Sequence, residues 1–361
     1  QMCIRDRHYY KDFRCIAGAC TDTCCAGWDV DVDKNSYKYY KTVKGAFGKR
    51  LKSVMVPSQD GECTFTLQEG GRCPFLNDDN LCDLYIELGE DKLCETCAEF
   101  PRFINDYGNI REIGIAPSCK TAGELMFSYK DELTFDTVED NSLTLEPNDI
   151  DAYTYMHLRQ ARIVAFGIIS DRDISIFERL MLYLDYAKRI QKHLDAEKDE
   201  LIAGVAKRFC GADYREELLD KLKSRDEKLH GKRLIKGLRH FFDDFKGMEV
   251  INPDWNIHVA RVRQFLDGLA DDSGLAAVMK TYHAGSEAFA HEYEQLAMYY
   301  VYRYMLDAVN DYDILLKAKN AVIGILAVDI MAAANQASGC MPDFTMRVDI
   351  APVSYTHLRA H

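Results

Sequence analysis

The cysteines of this chain are crowded into its first third. Of thirteen cysteines, only Cys3, Cys210 and Cys340 lie outside the stretch from Cys15 to Cys119. Cysteines are crowded in this way when several thiols bind the same metal ion or cluster. The crowded cysteines are Cys15, Cys20, Cys24, Cys25, Cys63, Cys73, Cys82, Cys94, Cys97 and Cys119. Because turn residues repeatedly break this region, residues 9–130 predict an irregular α+β module that is held by metal.

The spacing of the thiols divides them into two groups. The first is Cys15-x4-Cys20-x3-Cys24-Cys25, and the second is Cys73-x8-Cys82-x11-Cys94-x2-Cys97, followed by Cys119. A Cys-x2-Cys pair lets one tight turn offer two thiolates to the same ion. These nine cysteines are the candidate metal ligands, and they are too many for a single four-ligand site.

Three questions stay open at this point. Zinc and an iron–sulfur cluster both accept all-thiolate ligation, so spacing does not separate them. Neighbouring side chains in an extended segment point opposite ways, so Cys24 and Cys25 are not expected to bind the same ion. Single cysteines also serve as small buried hydrophobes, a reading that suits Cys63, Cys210 and Cys340 best.

The remaining sequence predicts a mainly α-helical protein with a C-terminal helical domain. Residues 131–149 are polar and acidic and predict a linker. Residues 150–340 carry long proline-free stretches with apolar residues at helical spacing, at 150–170, 174–194, 214–245 and 286–310. Residues 321–334 are apolar nearly all round except for Asp329, which predicts a buried central helix. The ends, 1–8 and 353–361, resemble foreign sequence and are left out of the predicted fold.

Composition excludes several classes of function. A net charge of −13 argues against a nucleic-acid binder that neutralises phosphates. The chain shows no apolar run long enough for a signal peptide or a membrane span, which favours a cytoplasmic location. No glycine-rich phosphate loop is present. Seven histidines, among them His283 and His291, are scattered through the helical part, where a surface or core role is the default.

At this point the residues resemble a known family. Residues 10–28, which contain the first cysteine group, are similar to the opening of the bacterial flagellin lysine-N-methylases, which belong with cysteine-cluster proteins that chelate zinc or iron. Further similar blocks are Cys73-Pro74-Phe75-Leu76, Leu93-Cys94-Glu95-Thr96-Cys97, Phe100-Pro101-Arg102, Pro117-Ser118-Cys119 and, far downstream, residues 294–304. Cys63 has no counterpart among these blocks.

The resemblance implies a specific activity. It implies methyl transfer from S-adenosylmethionine to lysine side chains of flagellin, with an iron–sulfur cluster, a 4Fe-4S centre, held by the N-terminal cysteines. It names no catalytic residue and no donor-binding residue. Two alternatives remain beside it: an iron–sulfur scaffold without methyl transfer, and a helical interaction protein with structural zinc.

Overall fold

The computed structural model describes residues 2–20, 24–26, 29–58, 61–140, 149–229, 233–244 and 254–351. The predicted foreign tail, 353–361, lies outside them. The described strands are β1 Met2–Arg7, β2 Asp31–Val32, β3 Met55–Pro57, β4 Cys63–Phe65, β5 Arg102–Tyr107, β6 Ile110–Ile115 and β7 Phe135–Asp140. The described α-helices are α1 Lys34–Thr42, α2 Gly45–Val54, α3 Asp83–Leu88, α4 Glu95–Glu99, α5 Lys120–Ser128, α6 Ala152–Ile169, α7 Ile176–Leu194, α8 Ile202–Phe209, α9 Ala212–Leu229, α10 Arg233–Asp244, α11 Asp254–Gly268, α12 Asp272–Ser286, α13 Ala290–Tyr304, α14 Ala308–Asp311, α15 Ile314–Ala337 and α16 Phe344–Ile350.

A four-stranded sheet in the order β5-β6-β1-β7 joins the two halves of the chain. β5 and β6 form the hairpin that the turn at Tyr107-Gly108 predicts, with Gly108 at φ +61°. β1 runs parallel to β6 and antiparallel to β7. Residues 2–7, which the sequence analysis left out of the fold, therefore supply an inner strand of this sheet.

The segment predicted as a linker contributes to the same sheet. Residues 135–140 form β7, which pairs with β1 along its whole length. Phe135 packs against Phe166 of α6 and Tyr302 of α13 at centroid distances of 5.1 and 5.0 Å. Burial of this aromatic side chain explains why a mostly acidic stretch forms a strand here rather than an exposed connection.

The helical part is built around α13 and α15, as the apolar patterns predict. Every residue of α13 from Glu292 to Arg303 is buried, and Leu296, Tyr299 and Tyr302 are fully enclosed. The apolar residues at helical spacing that the sequence shows over 286–310 therefore belong to a helix that is buried on all sides. α15 extends the predicted apolar helix at both ends and packs against α7, α11 and α13. Where the sequence predicts one helix over 214–245, the structure has α9 and α10.

The cysteine-rich region has a small core of its own. Aliphatic and aromatic side chains from residues 30–84, including Tyr40, Phe65 and Phe75, pack there with the buried thiols of Cys63, Cys73 and Cys94. By contrast, Phe103, Ile115 and the buried face of α5 belong to the large core of the helical part. The separate core thus covers residues 30–97 rather than the whole predicted module of 9–130.

A buried ion pair ties the sheet to the helices. Arg162 of α6 and Glu112 of β6 form a bidentate pair in which each side chain is only 1% exposed. The same guanidinium donates to the carbonyl oxygen of Tyr302 at 3.1 Å. Three elements are therefore fastened at one point.

In the part of the chain that the structure describes, no helix is long and apolar enough to cross a membrane.

A reciprocal cap begins α7 and makes its stability depend on pH. Glu178 Oε2 accepts from Ser175 N at 2.7 Å, and Ser175 Oγ accepts from Glu178 N at 3.3 Å. Partial burial alone would raise the pKa of Glu178, but hydrogen bonds from Lys223 and Ser175 outweigh it and lower the pKa.

We expect Glu178→Gln to lower the free energy of unfolding by about 0.5–1 kcal/mol at neutral pH. Because the folded-state pKa is lowered, this stabilisation is present above the unfolded-state value of about 4.3 and is lost as pH falls through the folded value. Urea unfolding of both proteins from pH 7 to pH 3 measures the difference. A difference that stays constant over that range would contradict the role of the carboxylate charge.

Candidate metal centre

Thiols from three separate segments meet beside the small core. The strand-like segment at Cys25-Ala26 lies against Arg72-Cys73, where Cys73 N donates to Cys25 O at 2.8 Å. Residues 73–83 then fold back on themselves. Leu76 forms an antiparallel β-bridge with Cys82, and Asp83 N donates to Phe75 O at 2.8 Å. Cys94 and Cys97, at the start of α4, complete the group, because both act electrostatically on the Cys73 or Cys25 thiol. The thiol cluster is Cys24, Cys25, Cys73, Cys82, Cys94 and Cys97.

The vicinal pair corrects one expectation from the sequence. Cys24 Sγ and Cys25 Sγ lie 4.0 Å apart. The prediction that the two sulfurs face opposite ways is wrong, because this segment bends instead of running extended. Hydrogen bonding to Cys24 and burial raise the pKa of the Cys25 thiol, and the charges of Cys73 and Cys82 act in the same direction.

Three of the predicted ligands occupy N-cap positions of helices. Cys82 precedes α3, Cys94 precedes α4 and Cys119 precedes α5. At each cap, backbone amides of the first helical turn act on the thiol and oppose the effect of burial on its pKa, as those of Leu84 and Tyr85 do for Cys82. Amides at a helix start favour the thiolate, which is the form that binds metal.

Burial opposes this effect at most of the thiols. It raises the pKa of Cys73 and of Cys119 to about 11 each, and it also raises the pKa of Cys82. Cys94 and Cys97 behave as a pair: the hydrogen bond from Cys97 lowers the pKa of Cys94, whereas that bond raises the pKa of Cys97. Several thiol protons are therefore held close together, and a bound cation would displace them.

The other predicted ligands lie at different distances from the cluster. Cys119 is half-buried and interacts electrostatically with Cys24, a member of the thiol cluster, and with Cys20. Cys119 and Cys20 therefore lie at the border of the cluster. Cys15 is exposed, and its sulfur accepts from Ala17 N at 3.4 Å. Within the described residues, Cys15 interacts with no other thiol. The structure therefore brings Cys24 and Cys25, the last two cysteines of the first group, together with the cysteines of the second group.

Besides Cys3, three cysteines were not among the predicted ligands. Cys63 is buried in β4, where burial raises its pKa to about 11. It lies close enough to Cys94 to act on it electrostatically, although its setting is that of a core residue. Cys210 and Cys340 are exposed and lie far along the chain in the helical part.

Two neighbours of the cluster were missed by the sequence analysis. Tyr40 is fully buried beside Cys94 and Cys97, and its hydroxyl donates to Lys92 O at 2.7 Å. Asp33 caps α1 by accepting from Asn35 N and Ser36 N, and its other oxygen accepts from Glu95 N at 3.2 Å. Asp33 thus connects α1 to the helix that carries Cys97. Only its place before a helix was visible in the sequence.

The donor set suits a thiophilic centre. The clustered side chains are all sulfur donors, which is the chemistry of zinc and of iron–sulfur sites. Among the residues that the structure describes, no three His, Cys, Asp or Glu side chains are placed to hold one metal ion. Ligation by these nine cysteines therefore stays a prediction, now supported by the convergence of six of them.

Comparison with known proteins relates the chain to one family. The model of the FliB lysine N-methylase C-terminal domain matches residues 162–352, more than half of the chain. The flagellar biosynthetic protein FliU of Salmonella muenchen is 29% identical over 125 residues, which cover 33% of this chain and 73% of that protein.

Two further relatives carry the name lysine-N-methylase. Those of Salmonella choleraesuis and Salmonella typhimurium are each 28% identical over 125 residues, which cover 33% of this chain and 31% of each relative. No solved structure gives a significant match. The extent of the domain match shows that the chain belongs to the FliB lysine N-methylase family.

Proposed function

We propose that this protein transfers methyl groups from S-adenosylmethionine to lysine side chains of flagellin. The match of residues 162–352 to the lysine N-methylase domain carries the proposal. The names of the relatives, lysine-N-methylase and flagellar biosynthetic protein, support protein lysine and the flagellum as the target. The net charge of −13 also suits a lysine-bearing substrate, because an acidic surface attracts ammonium groups.

We also propose that the thiol cluster holds an iron–sulfur cluster, with 4Fe-4S as the expected form. Convergence of Cys25, Cys73, Cys82, Cys94 and Cys97 supports this, together with the backbone amides that favour the thiolates of Cys73, Cys82 and Cys94. When bound, such a centre supplies iron that can accept the amino and carboxylate groups of the methyl donor. The chain's own part is to bring the thiols together and to bury them beside a rigid core.

Methyl transfer is tested directly with purified flagellin. Protein prepared without oxygen is incubated with S-adenosylmethionine and flagellin, and lysine peptides are examined by mass spectrometry. We expect mass increments of one methyl group on flagellin lysines. Absence of any increment from protein that contains its metal would contradict the methyltransferase proposal.

The metal centre is tested separately by composition. We expect iron, acid-labile sulfide and a visible absorption band in the oxygen-free protein, and we expect Cys97→Ser to lose most of the iron. Cys340→Ser removes an exposed thiol far from the cluster and should keep the iron content of the parent protein. Because the clustered thiols are mostly protonated, loading the stripped protein should release protons. A colourless protein that contains zinc would instead favour a structural site.

A further inference from the structure

A buried carboxylate interrupts the apolar helix α15. Asp329 is 1% exposed, and burial raises its pKa. A buried carboxylate is unfavourable unless it finds a partner. Its partner is His283 on α12, whose Nε2 lies 2.9 and 3.1 Å from the two carboxylate oxygens. The carboxylate therefore fixes one edge of the imidazole ring.

Aromatic side chains fix the rest of that arrangement. Phe177 of α7 stacks on the His283 ring at a centroid distance of 4.6 Å and an interplanar angle of 28°. The hydroxyl of Tyr293 on α13 bonds to Asp329, and Tyr282 Oη lies 2.9 Å from Tyr293 Oη. The ring is thus held by groups from three helices besides its own. Such support is typical of a side chain that must keep one orientation.

The partner of Asp329 differs from those of the neighbouring buried acids. Glu292 binds Arg347 at 2.7 Å, and Glu294 binds Arg179 at 2.6 Å. Arginine stays charged at every relevant pH, so these pairs are permanent ion pairs that do not exchange a proton. Histidine gains and loses a proton near neutral pH. The pair at Asp329 is therefore suited to proton transfer in a way that its neighbours are not.

The histidine also reaches solvent, although its carboxylate does not. The side chain of His283 is 35% exposed, whereas that of Asp329 is 2% exposed. When Nε2 donates to a carboxylate, Nδ1 carries the free electron pair of the neutral ring. In the described part of the chain, Asp329 is the residue that bonds to a ring nitrogen of His283. The partial exposure of the side chain therefore leaves His283 within reach of a substrate that approaches from solvent.

We infer that His283 is the general base that deprotonates the substrate lysine, with Asp329 as its positioning residue. The inference rests on the proposed methyltransferase function. A lysine ammonium, with an ordinary pKa of about 10.4, has no electron pair at neutral pH and must first lose a proton. No feature of the sequence alone singles out His283 among the scattered histidines.

The step balances without a further reactant. His283 Nδ1 takes one proton from the ammonium, which leaves a neutral amine. The electron pair of the amine forms the new N–C bond to the methyl carbon as the C–S bond of the sulfonium donor breaks. The donor leaves as a neutral thioether, and the methylated nitrogen carries the positive charge.

The pH dependence of methyl transfer follows from this role. The base works only when it is neutral, so the rate should fall on the acid side of the pH profile, where the imidazole ring is protonated. The charged and titratable groups around the ring are Asp329, Tyr293, Tyr282 and the pair of Glu292 with Arg347. Glu178, which binds Lys223, follows Phe177 in α7 and is a further group of this kind. A wild-type profile without that acid limb would overturn the inference.

The variant His283→Gln tests the base directly. The glutamine amide can still donate to Asp329, but it cannot accept a proton. We expect the rate at saturating donor and flagellin to fall by about 10²–10³-fold, to lose its acid limb and to recover partly when imidazole is added. His240→Gln, which changes an exposed histidine, should keep the parent rate and profile.

The outcomes separate the inference from the proposed function. If His283→Gln transfers methyl groups at the wild-type rate with the wild-type pH profile, the base assignment is wrong and the methyltransferase proposal stands. If wild-type protein transfers no methyl group, both fall. A merely structural role would lower the thermal stability of His283→Gln without rescue by imidazole, and that result would also overturn the assignment.

Discussion

Replacing Arg162 with methionine is expected to lower the free energy of unfolding by about 3–5 kcal/mol. The substitution leaves the carboxylate of Glu112, which is 1% exposed, without its bidentate partner. It also removes the hydrogen bond to Tyr302 O that joins α6 to α13. Urea unfolding of the variant and the parent protein measures the loss.

Two further variants show that burial causes the effect. Lys221→Met breaks the pair with Glu217, in which the two side chains are 65% and 68% exposed, and should leave the free energy of unfolding nearly unchanged. Combining Glu112→Leu with Arg162→Met removes both charges and should recover most of the loss. If Arg162→Met and Lys221→Met have equal effects, the buried pair contributes no more than a surface pair does.

Removing residues 1–7 is expected to abolish stable folding, a loss of about 5 kcal/mol or more. The deletion takes away β1 and leaves the backbone groups of β6 and β7 without their shared neighbour. It also removes Arg7, which is fully buried and donates to Tyr9 Oη and to Gln295 O. Thermal unfolding followed by circular dichroism measures the effect.

The control for this deletion is a change on the same sheet that exposes no new backbone. Val138 lies on β7, pairs with Ile4 of β1 and is 52% exposed. Val138→Ser should therefore shift the unfolding temperature by only a few degrees, as about 0.5 kcal/mol does. A truncated chain that unfolds at the temperature of the full chain would show that β1 is dispensable.

Elements with a local signal could be predicted from the sequence. The hairpin of β5 and β6 follows from the turn residues Tyr107-Gly108. The burial of α13 and α15 follows from their apolar periodicity. Each of these depends on residues close together in the chain, where spacing carries the information.

Pairings between distant residues could not be predicted in this way. The parallel contact of Cys3 with Ile110 leaves no trace in either segment, and the acidic residues of β7 resemble a linker. Asp329 was visible as a charge in an apolar helix, but its partner His283 lies 46 residues away. The spacing of the thiols likewise carries no sign that the Cys24 and Cys25 sulfurs lie near each other, because their proximity depends on a bend.

The placement of β1 has a consequence for how the chain is made. β1 leaves the ribosome before its two partner strands, which follow only at Ile110–Ile115 and Phe135–Asp140, about ten seconds later at ordinary rates of synthesis. All of residues 30–97 emerge during that wait, so the thiols of the proposed metal centre would be in place to take up metal before the sheet closes. A folded module then shortens the loop that must be closed to bring β1 beside β6. We therefore expect the metal available during translation to govern how much of the chain reaches its folded state.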